Sequence, residues 1–141
     1  MLWYQMQVRI ALSWLPVPCS ARRSLQQTGW TRITNFANLD EGMVDEDWDR
    51  CFLYNVKAHL WLLHAAKEEL EKSEGAFITT ASLAGVKPSG SSLPYAVTKA
   101  AAIHLSKSLA VICGPKIRAN SVSPGLLLTC LLYTSPSPRD S

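Results

Sequence analysis

Tyr95 and Lys99 stand four residues apart at the start of an apolar stretch, a spacing that puts both side chains on one helical face, one turn apart. An ammonium beside a phenol favours the phenolate, so the pair predicts a tyrosine whose pKa is lowered from about 10 toward neutrality. Such a tyrosine exchanges protons at working pH, which an ordinary one does not. Ser82 lies thirteen residues earlier, closing the run ITTAS, and Asn55 lies a further twenty-seven residues back in YNVKAHL. Downstream, Asn120-Ser121-Val122-Ser123-Pro124-Gly125 is followed by Thr129. Three histidines, His59, His64 and His104, show no metal-ligand spacing and read as packing or surface residues. No metal site is expected.

These residues need elements to hold them. Residues 45–73 read as a helix, with Asp45 as N-cap and further acids in the first turn, where the helix dipole favours negative charge. Trp48, Phe52, Val56, Leu60 and Leu63 form the stripe expected to pack. Residues 76–81 (AFITTA) read as a short buried strand that brings Ser82 to its carboxyl end, where open α/β sheets place ligands. Residues 82–92, with Gly85, Pro88 and Gly90, read as a loop. A second helix follows from about residue 94 to about 113, started by Pro94 and stopped by Gly114-Pro115, and residues 117–122 read as another strand. Helix, strand, helix, strand predicts a parallel α/β sheet.

The types, order and separations of Asn55, Ser82 in TASLAG, Tyr95 and Lys99 in YAVTK, and NSVSPG with Thr129 resemble the short-chain dehydrogenase/reductase family. The resemblance runs from about residue 30 to 129 and implies a Rossmann-like, doubly wound fold. It implies a hydride transfer between NAD or NADP and a small alcohol or carbonyl substrate. Tyr95 would be the general acid/base, and Ser82 would hydrogen-bond the reacting oxygen. Lys99 would hold the nicotinamide ribose and depress the Tyr95 pKa. Asn55 would hold a relay water through a local helix distortion. Pro124, Gly125 and Thr129 would line the nicotinamide. The resemblance also implies a homo-oligomer in an intact member.

One feature of that family is missing. Its glycine-rich turn, which seats the pyrophosphate on a helix N-terminus, has no counterpart among the seven glycines of this chain, no two of which lie within four positions. Where the family shows NNAG, Gln27-Thr28-Gly29 stands here. The expectation is a partial Rossmann-like domain over residues 29–129, lacking the dinucleotide-binding half. Residues 1–28, where no period persists, would be unrelated or disordered. Residues 130–141 (CLLYTSPSPRDS) would be a solvated tail foreign to the fold. Activity of such a chain is in doubt, and the alternative is a non-catalytic fragment that self-associates, or pairs with an intact relative, through its two amphipathic helices.

Composition limits the remaining classes. The chain has 141 residues, 48% hydrophobic and 18% charged, which suits one globular domain. A net charge of +3 is too small to suggest a nucleic-acid partner. No apolar run approaches the ~20 residues of a membrane span, so no membrane partner is expected. The brief apolar run after Arg9, broken by Pro16 and Pro18, is a poor secretory signal. Cys19, Cys51, Cys113 and Cys130 form no CxxC pair and read as free thiols in a reducing, cytoplasmic setting. The acids at positions 40–49 are expected to be solvated.

Overall fold

The computed structural model describes residues 4–10 and 25–125. Strands β1, Tyr4–Ile10, and β2, Leu25–Thr31, run antiparallel with Met6 opposite Gly29. No regular element was expected over residues 1–28. The alternation of Tyr4, Met6, Val8 and Ile10 with Gln5, Gln7 and Arg9 is the period of two that marks a strand.

Helices α1, Asp45–Phe52, and α2, Ala58–Lys72, are joined by one π-helical turn, Leu53–Lys57, into a continuous rod. Val44, not Asp45, is the N-cap, and no side chain caps this end. Asp45 is the first helical residue, so its charge acts through the dipole only. The buried face is also displaced by one position from the expected stripe. Asp47, Cys51, Asn55, His59, Leu63 and Leu70 are buried, whereas Phe52 and Leu60 are 36% and 43% exposed. Steps of four residues drift around a regular α-helix by about 40° each, because a turn holds 3.6 residues. The wider π turn absorbs part of that drift and keeps Asn55 and His59 facing inward. Polar residues on the inner face hid it from a search for apolar periodicity.

Strands β3, Ala76–Thr80, and β4, Arg118–Val122, pair in parallel, with Ala76 opposite Arg118 and Thr80 opposite Val122. Each is one residue shorter than expected. Helix α3, Leu93–Cys113, makes the crossover between them. Ser92 caps it by accepting from the backbone N–H of Tyr95 at 3.3 Å, with Pro94 in the first turn. The strand-helix-strand order that the sequence predicts is therefore present as a parallel pair. Leu63, Leu70, Phe77, Leu109, Ile117 and Ala119 form the core where α2, α3 and this pair meet. Each of the larger side chains contributes about 2 kcal/mol on burial.

Two compositional expectations change. Helix α3 has 21 residues and is long and apolar enough to cross a membrane by length and composition alone. It nevertheless buries Thr98, Lys99 and Ser106 and seats Leu109 in the core, as a helix packed on a sheet does. Among the acids, Asp47 is not solvated: it is buried and pairs with Arg32 at 3.1 Å. Cys51 and Cys113 are free thiols, while Cys19 and Cys130 lie outside the described residues.

Candidate active site

Ser82 follows the end of β3 and opens the short 3-10 turn Leu83–Gly85, its hydroxyl accepting from the Ala84 N–H at 3.2 Å. The same hydroxyl hydrogen-bonds the Tyr95 phenol. Two backbone bonds hold this turn against the chain that leaves β4: Ala81 N–H to the Val122 carbonyl and Leu83 N–H to the Pro124 carbonyl, both 2.8 Å. Pro124 and Gly125 thus lie beside the Ser82 turn, and a Cβ at Gly125 would touch Leu83 at 3.8 Å. Thr129 lies outside the described residues.

Tyr95 and Lys99 rise from the first turns of α3. The Lys99 ammonium lies 5.5 Å from the centre of the Tyr95 ring and donates to the Thr80 carbonyl at 2.9 Å. It is 5% exposed, and burial pushes its pKa down to about 8, opposed by Cys51. The sequence predicts that Lys99 lowers the Tyr95 pKa. The structure overturns this: burial raises the phenol above its ordinary value, with the Ser82 hydrogen bond as the opposing influence. A cation tied to a strand carbonyl and seated beside the ring does little for charge on the phenolic oxygen, whereas desolvation acts on that oxygen fully.

Asn55 sits in the π-helical turn, so the local helix distortion expected at that residue is present. Its side chain is fully buried. Its Oδ1 accepts from the Trp30 N–H at 2.8 Å, and its Nδ2 donates to the Trp30 carbonyl at 2.9 Å and to Thr98 Oγ1 at 3.0 Å. Thr98 in turn donates to the Pro94 and Tyr95 carbonyls. One amide therefore links β2, the helical rod and the turn of α3 that carries Tyr95. A Cβ at Gly29 would lie 3.4 Å from Asn55 Oδ1 and 3.6 Å from Lys99 Nζ, so β2 passes where these two side chains converge.

Around this line lie residues that sequence reasoning missed. Trp30 offers only backbone groups to Asn55, which no side-chain motif reveals. Thr98 lies inside YAVTK, and Ser92 three residues before Tyr95 carries the ordinary signal of an N-cap. Thr31 Oγ1 bonds Ser91 Oγ, and the Thr34 N–H donates to the Ser91 carbonyl at 2.8 Å, fastening the strand exit to the loop before α3. Cys51 is buried at the same junction, its thiol pointing at the Trp30 carbonyl at 3.7 Å and pushed up to about 12 by burial. His59 is buried, while His64 and His104 are exposed. Among the described residues, no group of three or more His, Cys, Asp or Glu side chains could hold a metal ion.

Comparison with known proteins identifies the family and the fold. A family model described as short chain dehydrogenase matches residues 28–139. The cis-1,2-dihydrobenzene-1,2-diol dehydrogenase of Pseudomonas putida is 35% identical over 99 residues, covering 70% of this chain and 36% of that protein. A 7α-hydroxysteroid dehydrogenase solved with NADH and 7-oxo glycochenodeoxycholic acid superposes with a TM-score of 0.61 at 33% identity, over 69% of this chain and 39% of that one. ElxO, solved with NADP bound, superposes with a TM-score of 0.66 at 25% identity, over 75% and 42%. The chain thus spans little more than a third of the relatives' length, as a partial Rossmann-type domain. With the motif order, the parallel pair and the matched model in agreement, the chain belongs to the short-chain dehydrogenase family.

Proposed function

We propose that this chain carries the proton-transfer and nicotinamide-facing part of an NAD- or NADP-dependent oxidoreductase acting on a small alcohol or carbonyl compound. The observation that carries this reading is the meeting of three side chains: the Ser82 hydroxyl bonds the Tyr95 phenol, and the Lys99 ammonium sits beside the same ring. Two hydroxyls at a strand end can grip one substrate oxygen. In the reductive direction Tyr95 gives its proton to that oxygen, while Ser82 donates a hydrogen bond to the charge that develops. A phenol held above its ordinary pKa is fully protonated at neutral pH, the form this direction requires. In the oxidative direction the phenolate takes the proton, and the Ser82 hydrogen bond opposes the cost that burial sets on it.

The nicotinamide end of a cofactor fits the residues present. An ammonium has three N–H donors, and Lys99 commits one to Thr80, leaving others for ribose hydroxyls. Pro124 and Gly125 stand beside Ser82 on the facing loop. A bound nicotinamide supplies or accepts the hydride. Solved relatives that hold NADP in one case and NADH in another lend both forms to the proposal.

The test is a titration with NADH and with NADPH, read by tryptophan fluorescence. Saturable quenching that Lys99→Met abolishes is the expected result, and no saturable change with either cofactor contradicts the reading. A second reading, pairing with another copy or with an intact relative, is favoured by the exposed Leu60, Trp61, Val111 and Ile112 on α2 and α3. Sedimentation as a dimer without cofactor binding supports it.

A further inference from the structure

Gly90 is the one glycine with a positive φ among the described residues, at +119°. That backbone conformation is open to glycine and strained for any L side chain. Gly90 stands in the exposed loop between the Ser82 turn and α3, close to two neighbours. A Cβ there would lie 2.9 Å from the Ala84 Cβ and 3.5 Å from Cδ1 of the Tyr95 ring. The first distance is shorter than real side chains show, and the second is ordinary contact. The loop backbone therefore passes between the Ser82 turn and one edge of the phenol ring.

The turn on one side of Gly90 has no room to retreat. Gly85, next to Ala84, already abuts the backbone of α3, where a Cβ would come within 2.6 Å of the Lys99 carbonyl carbon. The Leu83 N–H is tied to the Pro124 carbonyl at 2.8 Å. The loop is also held at both ends. Before Gly90, the Val86 and Lys87 N–H groups both donate to the Leu83 carbonyl at 2.9 Å. After it, the Thr34 N–H donates to the Ser91 carbonyl at 2.8 Å, and Ser92 caps α3 at the Tyr95 N–H. With both ends pinned and the turn fixed, the loop reaches the ring by adopting a positive φ at Gly90. The Tyr95 ring is thus bounded by this loop along one edge, with the Lys99 ammonium 5.5 Å from its centre.

We infer that Gly90 is a positioning residue for proton transfer: its positive φ and missing side chain let the loop close on the edge of the Tyr95 ring, which fixes where the phenol hydroxyl points. It acts through Tyr95 and has no side chain with which to meet a substrate. The positioning stands on the distances above, while its part in catalysis rests on the oxidoreductase reading.

Gly90→Ala in the full chain tests this. The added methyl strains φ and meets Ala84, so the loop lifts from the ring and the phenol gains solvent. Followed by NMR at the tyrosine Cζ carbons, the Tyr95 titration, raised by burial in the wild type, moves down toward the ordinary value. The Tyr54 signal, from the helical rod, stays where it was. An unmoved Tyr95 overturns the proposal, as does an equal shift at Tyr54, which would mark general loosening. Should Gly90→Ala fail to fold, the wild-type chain decides. Nuclear Overhauser contacts between the Gly90 α-protons and the Tyr95 ring protons are expected, and their absence overturns the assignment. In catalysis, kcat for carbonyl reduction falls about tenfold or more in Gly90→Ala with cofactor Kd unchanged, because misplacing a reacting group by ~1 Å can cost on the order of 100-fold. Equal kcat in the two proteins overturns the catalytic part. A wild type that reduces no carbonyl compound contradicts the oxidoreductase reading instead, and the titration and Overhauser contacts still decide whether Gly90 positions Tyr95.

Discussion

The Lys99 ammonium is anchored on the Thr80 carbonyl at 2.9 Å while lying 5.5 Å from the centre of the Tyr95 ring. The end of β3 thus fixes where the positive charge sits, and the helix fixes where the phenol sits. In the free chain the phenol responds mainly to burial and the lysine to its own desolvation, so the two pKa values move apart, the phenol above its ordinary value and the lysine down to about 8. The lysine charge is present at neutral pH and is lost as pH rises through about 8.

Asn55 is the joint between β2, the π-helical turn and α3. Asn55→Ala removes three hydrogen bonds and leaves the buried Trp30 N–H without that acceptor. Unsatisfied buried groups cost ~1–3 kcal/mol each, so a loss of about 3 kcal/mol is expected in urea denaturation. A change below about 0.5 kcal/mol, the level of a neutral surface substitution, would contradict the role given to this amide.

Much of the fold was legible because its elements carry apolar periodicity and punctuation: α3 between Pro94 and Gly114, and β3 between Gly75 and Ser82. The inner face of the rod was not. Asp47, Cys51, Asn55 and His59 look like a polar side in the sequence, and the partners that meet the first three when buried, the Trp30 backbone for Cys51 and Asn55 and the Arg32 side chain for Asp47, lie far from them along the chain. The proximity of Tyr95, Lys99 and Ser82 could be read from spacing, since helix pitch and strand ends are local facts. The direction of the Tyr95 pKa could not, because desolvation depends on what covers the phenol. Trp30 escaped notice because its contribution to the site is made by main-chain atoms.

Gly85 tests how closely the Ser82 turn must approach α3. A Cβ there would lie 2.6 Å from the Lys99 carbonyl carbon and 2.7 Å from the Ala100 nitrogen, both backbone atoms that cannot rotate away. Gly85→Ala should therefore destabilise the chain by about 2 kcal/mol or more, in the range of overpacked sites. Thermal unfolding measures it. A midpoint equal to wild type would mean the turn is not pressed against the helix.

Acid should unfold the chain partly through His59. The folded value of about 4 lies below the ordinary 6.5, so the unfolded chain binds the extra proton first as pH falls. The stability linked to this group is intact above about 6.5 and is lost progressively down to about 4, for a total of about 3 kcal/mol. Urea midpoints compared at neutral and acidic pH should show that slope in wild type and a flatter one in His59→Gln. Equal slopes would show that the imidazole is not held neutral.

The most direct test of the central claim is reduction of small carbonyl compounds with NADH or NADPH by wild type and by Tyr95→Phe, with cofactor affinity measured alongside. Removing the phenolic oxygen leaves the ring beside Lys99 but takes away the proton donor. Turnover by wild type, its loss in Tyr95→Phe and an unchanged cofactor Kd are the predicted results. Equal turnover in the two proteins would contradict the assignment of Tyr95 as the group that moves the proton.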